Sequence, residues 1–172
     1  MADTIRSLSN LNTLLGDNAS SGISAQDIRD MMISQMCHAE IGSLGQVQEV
    51  LGAGWVALKL DTDGAFKRGF TTDLVNYKIT ATPVDMKVEI GCEILFLGDD
   101  GVDVEFSVFK GVAQQARFDI TLVGKGSTVV GASWGAGLQL DASDDLSFGI
   151  RSNGNSFTLV RGRLSVRRIG VE

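Results

Sequence analysis

The chain has 172 residues, 44% of them hydrophobic, with 21 glycines, one proline and a formal net charge of −6. That is enough apolar material for one domain with an appendage, and the lack of a Gly-X-Y period excludes a collagen-like chain. An acidic chain with a pI near 4.7 has no general attraction for nucleic acid or anionic membranes, and no run of 18 apolar residues exists to cross a bilayer.

Residues 1–22 are polar and rich in Ser, Asn and Gly. Met1-Ala2-Asp3-Thr4-Ile5-Arg6 has neither the basic segment nor the apolar core of a signal peptide, so the expectation is a protein made and folded in a cytoplasm. Ile5, Leu8, Leu11, Leu14 and Leu15 recur at roughly helical spacing until Gly16 and the 18–22 stretch stop the pattern. Two readings stand side by side, a frayed tail and an arm that orders on a partner. In the second, those five aliphatic residues are the partner-binding set.

Ser24-Ala25-Gln26-Asp27 reads as a helix cap with an acidic residue in the first turn. Behind it Ile28, Met31, Met32 and Met36 share one face of an amphipathic helix of about 15 residues, which Gly42 and Gly45 bring to an end. So short a helix needs something to pack on, either the following domain or a neighbouring subunit. The expected organisation is an arm at 1–22, helix and linker at 23–45, and a β-domain at 46–172.

From about residue 53 the apolar period changes from 3.6 to 2. Strands are expected at Trp55–Leu60, Lys78–Thr82, Lys87–Leu97, 102–109, Arg117–Val123, Ser127–Trp134, Leu138–Leu140, Leu146–Arg151, Ser156–Val160 and Leu164–Ile169. In the fourth, Val102, Val104, Phe106 and Val108 share one face while Asp103, Glu105 and Ser107 share the other, the pattern of an antiparallel strand with one buried side. Asp63-Gly64 and Gly98–Gly101 read as turns, and Asn153-Gly154 as a hairpin. Nine or ten short strands at spacings near ten residues indicate an antiparallel β-sandwich or jelly roll.

The chemistry-bearing residues form no catalytic set. His38 is the single histidine and sits beside Cys37, where adjacent helical positions diverge by about 100° and cannot make a nucleophile–base pair. One histidine and two cysteines fall short of a zinc site, and Cys37 and Cys92 read as reduced core residues. The acidic turns at Asp61–Gly64, Asp99–Asp103 and Asp141–Asp145 offer oxygens, but none completes a calcium loop. Gly124-Lys125-Gly126-Ser127-Thr128 fails the spacing of a phosphate loop and reads as a turn. Arg161, Arg163, Arg167 and Arg168 are expected to pair with carboxylates such as Asp103 and Glu105 rather than with nucleic acid. The reading is therefore not an enzyme, with no cofactor and no metal.

Val104–Val112, Gly126–Gly131, Leu140–Phe148 and Leu164–Ile169, taken in that order, resemble the strands of phage virion proteins with TNF/C1q-like jelly-roll heads. The Ile23–Met31 segment is similar to a helix found near the start of small phage tail-fibre and capsid-accessory proteins. Two loops depart from the pattern: Gly111 follows Lys110 directly where the family has Asn-Gly, and Ser143-Asp144-Asp145 replaces a Gly-Asp turn. The resemblance implies a mainly β, antiparallel TNF/C1q-like jelly roll with an N-terminal arm and short α-helix, assembled as a homotrimer. It further implies a virion protein, a capsid decoration or cement protein that contacts the major capsid protein or other virion proteins through its arm. The alternative is a tail-fibre or tail-tip protein of the same fold that recognises a host surface receptor.

Overall fold

In the computed structural model, residues 37–43, 47–50, 52–64, 67–82, 85–152 and 156–170 are described. Among them the two-residue alternation becomes twelve strands: β1 (His38–Gly42), β2 (Val47–Val50), β3 (Val56–Ala57), β4 (Thr62–Asp63), β5 (Phe70–Asp73), β6 (Lys78–Ala81), β7 (Met86–Gly98), β8 (Asp103–Lys110), β9 (Ala113–Val123), β10 (Val130–Leu140), β11 (Asp145–Ser152) and β12 (Ser156–Gly170). All pairings are antiparallel. The first sheet runs β10-β7-β12-β1-β4, with β2 also on β12; the second runs β5-β6-β11-β8-β9, with β3 also on β11. From β7 onward the chain crosses between sheets at almost every connection, which makes the sandwich a jelly roll rather than a meander.

Burial explains the pairing. Along β7, Met86, Val88, Ile90, Cys92, Ile94 and Phe96 point inward and are buried, while Lys87 and Glu89 point to solvent. The second sheet answers with Val104, Phe106 and Val108 from β8 and Leu146, Phe148 and Ile150 from β11. Phe96, Phe106 and Phe157 meet at the centre, with ring centroids 5.3–6.3 Å apart. Truncating one such ring to Ala costs about 3–5 kcal/mol, a large share of the stability of one domain.

Several expectations change. The chain is already β-strand at His38, inside the segment read as helix and linker. Cys37, Ala39 and Ile41 are buried, alternating with His38, Glu40 and Gly42, and β1 pairs with β12 from His38↔Arg167 to Gly42↔Arg163. So short a run fits either period, and the edge offered by the long β12 strand selects the strand. The arm at 1–22 and the helix residues Ile28, Met31, Met32 and Met36 lie outside the described residues.

Asn153-Gly154, read as a hairpin, lies outside the described residues; of the strands on either side, β11 pairs with β8, β6 and β3 and β12 pairs with β7, β1 and β2. β11 and β12 therefore belong to different sheets. A two-residue hairpin lies at Gly111-Val112, where Lys110 pairs with Ala113 and Gly111 adopts φ +59°. The two segments expected around Gly135–Gly137 are one strand, β10, and those around Gly162 are one strand, β12, with a bulge between Leu159 and Arg161. Trp55–Leu60 shrinks to the two residues of β3, although Leu58 and Leu60 are still buried.

The open sides of the sandwich are stapled. β9 leaves the ladder between Gln115 and Ile120. That bulge buries Phe118 completely and lets Arg117 Nη1 donate to the Gly137 carbonyl at 2.7 Å across to β10. On the far side His38 and Arg68 exchange backbone hydrogen bonds of 2.9 and 2.7 Å, tying β1 to the chain entering β5.

Candidate functional site

The outer face of the first sheet is the candidate site. Its register sets three parallel rows across the strands. One row is Ser133, Glu93, Arg163 and Gly42, running on to Thr62; the next is Gly135, Gly91 and Ser165, ending at Glu40; the third is Gly137, Glu89 and Arg167, ending at His38. The middle row carries almost no side chain, so a trough of about 430 Å³ crosses the sheet, walled on one side by Glu89, Arg167 and His38.

Gly135 and Gly131 are required by close backbone approach, a Cβ on Gly131 coming 2.6 Å from the Ile94 carbonyl oxygen, while Gly91 makes room for the Ser165 side chain. A Cβ on Gly135 would sit 2.5 Å from the Ile90 carbonyl oxygen, and one on Gly91 2.8 Å from Ser165 Oγ. At Gly131 it would meet Leu95 at 2.3 Å. The Ser165 hydroxyl donates to the Gly91 carbonyl at 3.2 Å, holding the trough floor flat.

The charges on this face satisfy one another. Glu93 bridges Arg161 and Arg163, each at 3.4 Å from Nε, and Arg163 also reaches Glu40 at 3.6 Å. Arg167 pairs with Glu89. The arginines therefore do pair with carboxylates, but not with Asp103 or Glu105. Those two lie on β8 in the other sheet, where Glu105 accepts from Arg151 Nη2 at 2.7 Å. Arg168 points the opposite way and is buried.

Beside this face runs the β9–β10 edge. Ile120, Leu122, Val130, Ala132, Trp134 and Ala136 are half-buried against the core, and Val123 and Val129 are nearly half exposed.

The other residues singled out by sequence stand apart. Cys37, just before β1, is buried, whereas His38, the first residue of β1, lies on the opposite side of the alternating pattern, so the two do not converge. Burial pushes the Cys37 thiol up, against the opposing pull of Arg168, and pushes the Cys92 thiol up to about 12. The acidic turns are spent on local structure. Asp63 accepts from Lys67 and from Thr72, which hold its carboxyl below the usual range. Asp144 and Asp141 grip Lys110 Nζ at 2.7 and 3.1 Å, and those bonds hold the ammonium pKa up. Among the described residues no three His, Cys, Asp or Glu side chains are placed to hold a metal ion, and no helix is long and apolar enough to cross a membrane. Sequence reading passed over the trough; its signal was the glycine repeat at 131, 135 and 137 around an inward Trp134.

No family model matches this chain, and no curated protein matches it. Solved structures do. The Eiger TNF of S. frugiperda is similar over 80% of this chain and 95% of that one, with a TM-score of 0.60 at 11% identity. The PRD1 vertex protein P5 is similar over 79% of this chain and 98% of that one, with a TM-score of 0.55 at 11% identity. The fold is a TNF-like jelly roll.

Proposed function

We propose that this chain is a structural virion protein: a homotrimer that decorates and cements a capsid, attached through its N-terminal arm. The observation that carries the reading is the pairing of a flat, glycine-floored sheet face with an adjoining apolar edge. A face-to-edge contact is heterologous, and repetition about a threefold axis closes it into a ring. The edge supplies Ile120, Leu122, Val123 and Val129; the face supplies a trough without projecting side chains and charges already paired. The likeness of fold to a phage vertex protein supports a virion setting.

In this reading Ile5, Leu8, Leu11, Leu14 and Leu15 dock into the shell, while Ile28, Met31, Met32 and Met36 pack within the trimer. Three weak arm contacts on one rigid body add into strong attachment. Because the trimer binds assembled capsid and not free subunits, it stabilises the shell by mass action. Immunogold labelling of intact virions tests the role. Label spread over the head supports decoration; label at the tail end, or none, overturns it.

A further inference from the structure

The geometry points to a saccharide-binding notch on the outer face of the second sheet, a site separate from the assembly face. Gly149, in mid-β11, leaves room that two aromatic rings fill. A Cβ there would meet Phe109 at 2.4 Å and Trp55 at 3.3 Å. The rings meet edge to face, with centroids 5.4 Å apart and planes at 69°. Arg151 lies two residues further along the same face. Its guanidinium carbon sits 4.7 Å from the Trp55 ring centroid, and its Nη2 is bonded to Glu105. Between the rings and β3 is a notch of about 150 Å³ lined by Trp55, Val56, Ala57, Phe109, Ser147 and Gly149.

Size and chemistry together choose the occupant. Pockets for drug-sized molecules run to roughly 300–1,000 Å³, so this notch has room for a single ring. A pyranose offers one apolar C–H face and a rim of hydroxyls. The notch offers aromatic walls with Ser147 in its lining, and Arg151, paired with Glu105, lies against the Trp55 ring. An apolar side chain from a protein partner would use the rings and leave those polar groups idle. Arg151 is already neutralised by Glu105, and the chain carries a net charge of −6, so the fit is to a neutral sugar rather than an acidic one.

The test uses the full-length protein with ¹⁵N-labelled indoles, titrated to millimolar levels with the methyl glycosides of β-galactose, β-glucose, α-mannose and N-acetyl-β-glucosamine. Trp55 and Trp134 are the two tryptophans, so each indole N–H is assigned by one Trp→Phe variant. The expected result is a saturable shift of the Trp55 signal with at least one glycoside, while Trp134, bonded inside the sandwich, stays fixed. Arg151→Lys should weaken that binding about tenfold, the loss of one charge-assisted hydrogen bond. Ser147→Ala, which leaves the aromatic pair intact, provides a second variant should Arg151→Lys unfold the sheet. Trp55 unmoved by all four glycosides, or both tryptophans moving together, overturns the site.

Discussion

The indole N–H of Trp134 on β10 donates to the backbone carbonyl of Phe118 on β9 at 3.0 Å, one hydrogen bond thrown from the first sheet to the second. Phe118 is itself buried from the β9 bulge, so the two residues lock the edge that would otherwise gape. Trp134→Phe keeps most of the ring and deletes the donor. The expected loss is about 1–3 kcal/mol, the cost of leaving a shielded carbonyl without its partner. Urea denaturation followed by circular dichroism measures it, and an unchanged midpoint would show that the staple contributes nothing.

The β9–β10 staple also marks where the sequence stops being readable. β8 announced itself because alternation over eight residues has one structural solution, and β7 because its segment is a long, nearly continuous apolar run that a turn signal ends. β1 did not, since Cys37–Gly42 is too short to separate the two periods and its partner lies some 125 residues away in sequence, a relation estimated only once pairing is known. The pairing of β11 and β12 in different sheets was illegible for a related reason. A turn sequence states that the chain reverses, and it cannot state whether the next strand joins the same sheet or the opposite one. The trough was hidden because its residues, Gly91, Gly135 and Ser165, come from three strands that register alone aligns.

Glycines on β10 should separate by position. Gly135→Ala forces a Cβ against the Ile90 carbonyl and should cost about 1–3 kcal/mol in folding. Gly137 has its nearest obstacle, the Val88 carbonyl, at 3.8 Å, so Gly137→Ser should fold normally. Gly137→Arg should keep the melting temperature of the isolated subunit yet break the proposed trimer, read by size-exclusion chromatography.

Glu93 holds two arginines, Arg161 and Arg163. In an isolated subunit these pairs face water, and Glu93→Gln should cost less than about 1 kcal/mol. Buried between subunits, the same change leaves Arg161 unmatched and Arg163 with Glu40 alone, and should cost about 2–5 kcal/mol of association. Sedimentation velocity across a dilution series separates the two values. Equal, small effects on folding and association would remove this face from the interface.

Stability should fall at both ends of the pH range for identifiable reasons. Asp63 has its pKa lowered in the fold by Lys67 and Thr72, so its contribution is present above the unfolded carboxylate range and is lost as pH falls through the folded value. Lys110 is raised by Asp144 and Asp141, and Cys92 is raised to about 12 by burial. Their contributions are complete below the unfolded values and decline as pH rises toward the folded ones. For Cys92 the decline begins at about pH 8.5, where the unfolded thiol ionises. Cys92→Ala should flatten the alkaline limb in denaturation curves recorded from pH 7 to 10, and both thiols should resist a thiol reagent until the protein unfolds.

Native mass spectrometry of the full-length protein tests the central claim most directly, because the assembly face and the proposed capsid role both depend on three subunits. The account predicts a species of about 55 kDa, three copies of an 18.3 kDa chain. A persistent 18.3 kDa species at micromolar concentration would contradict it.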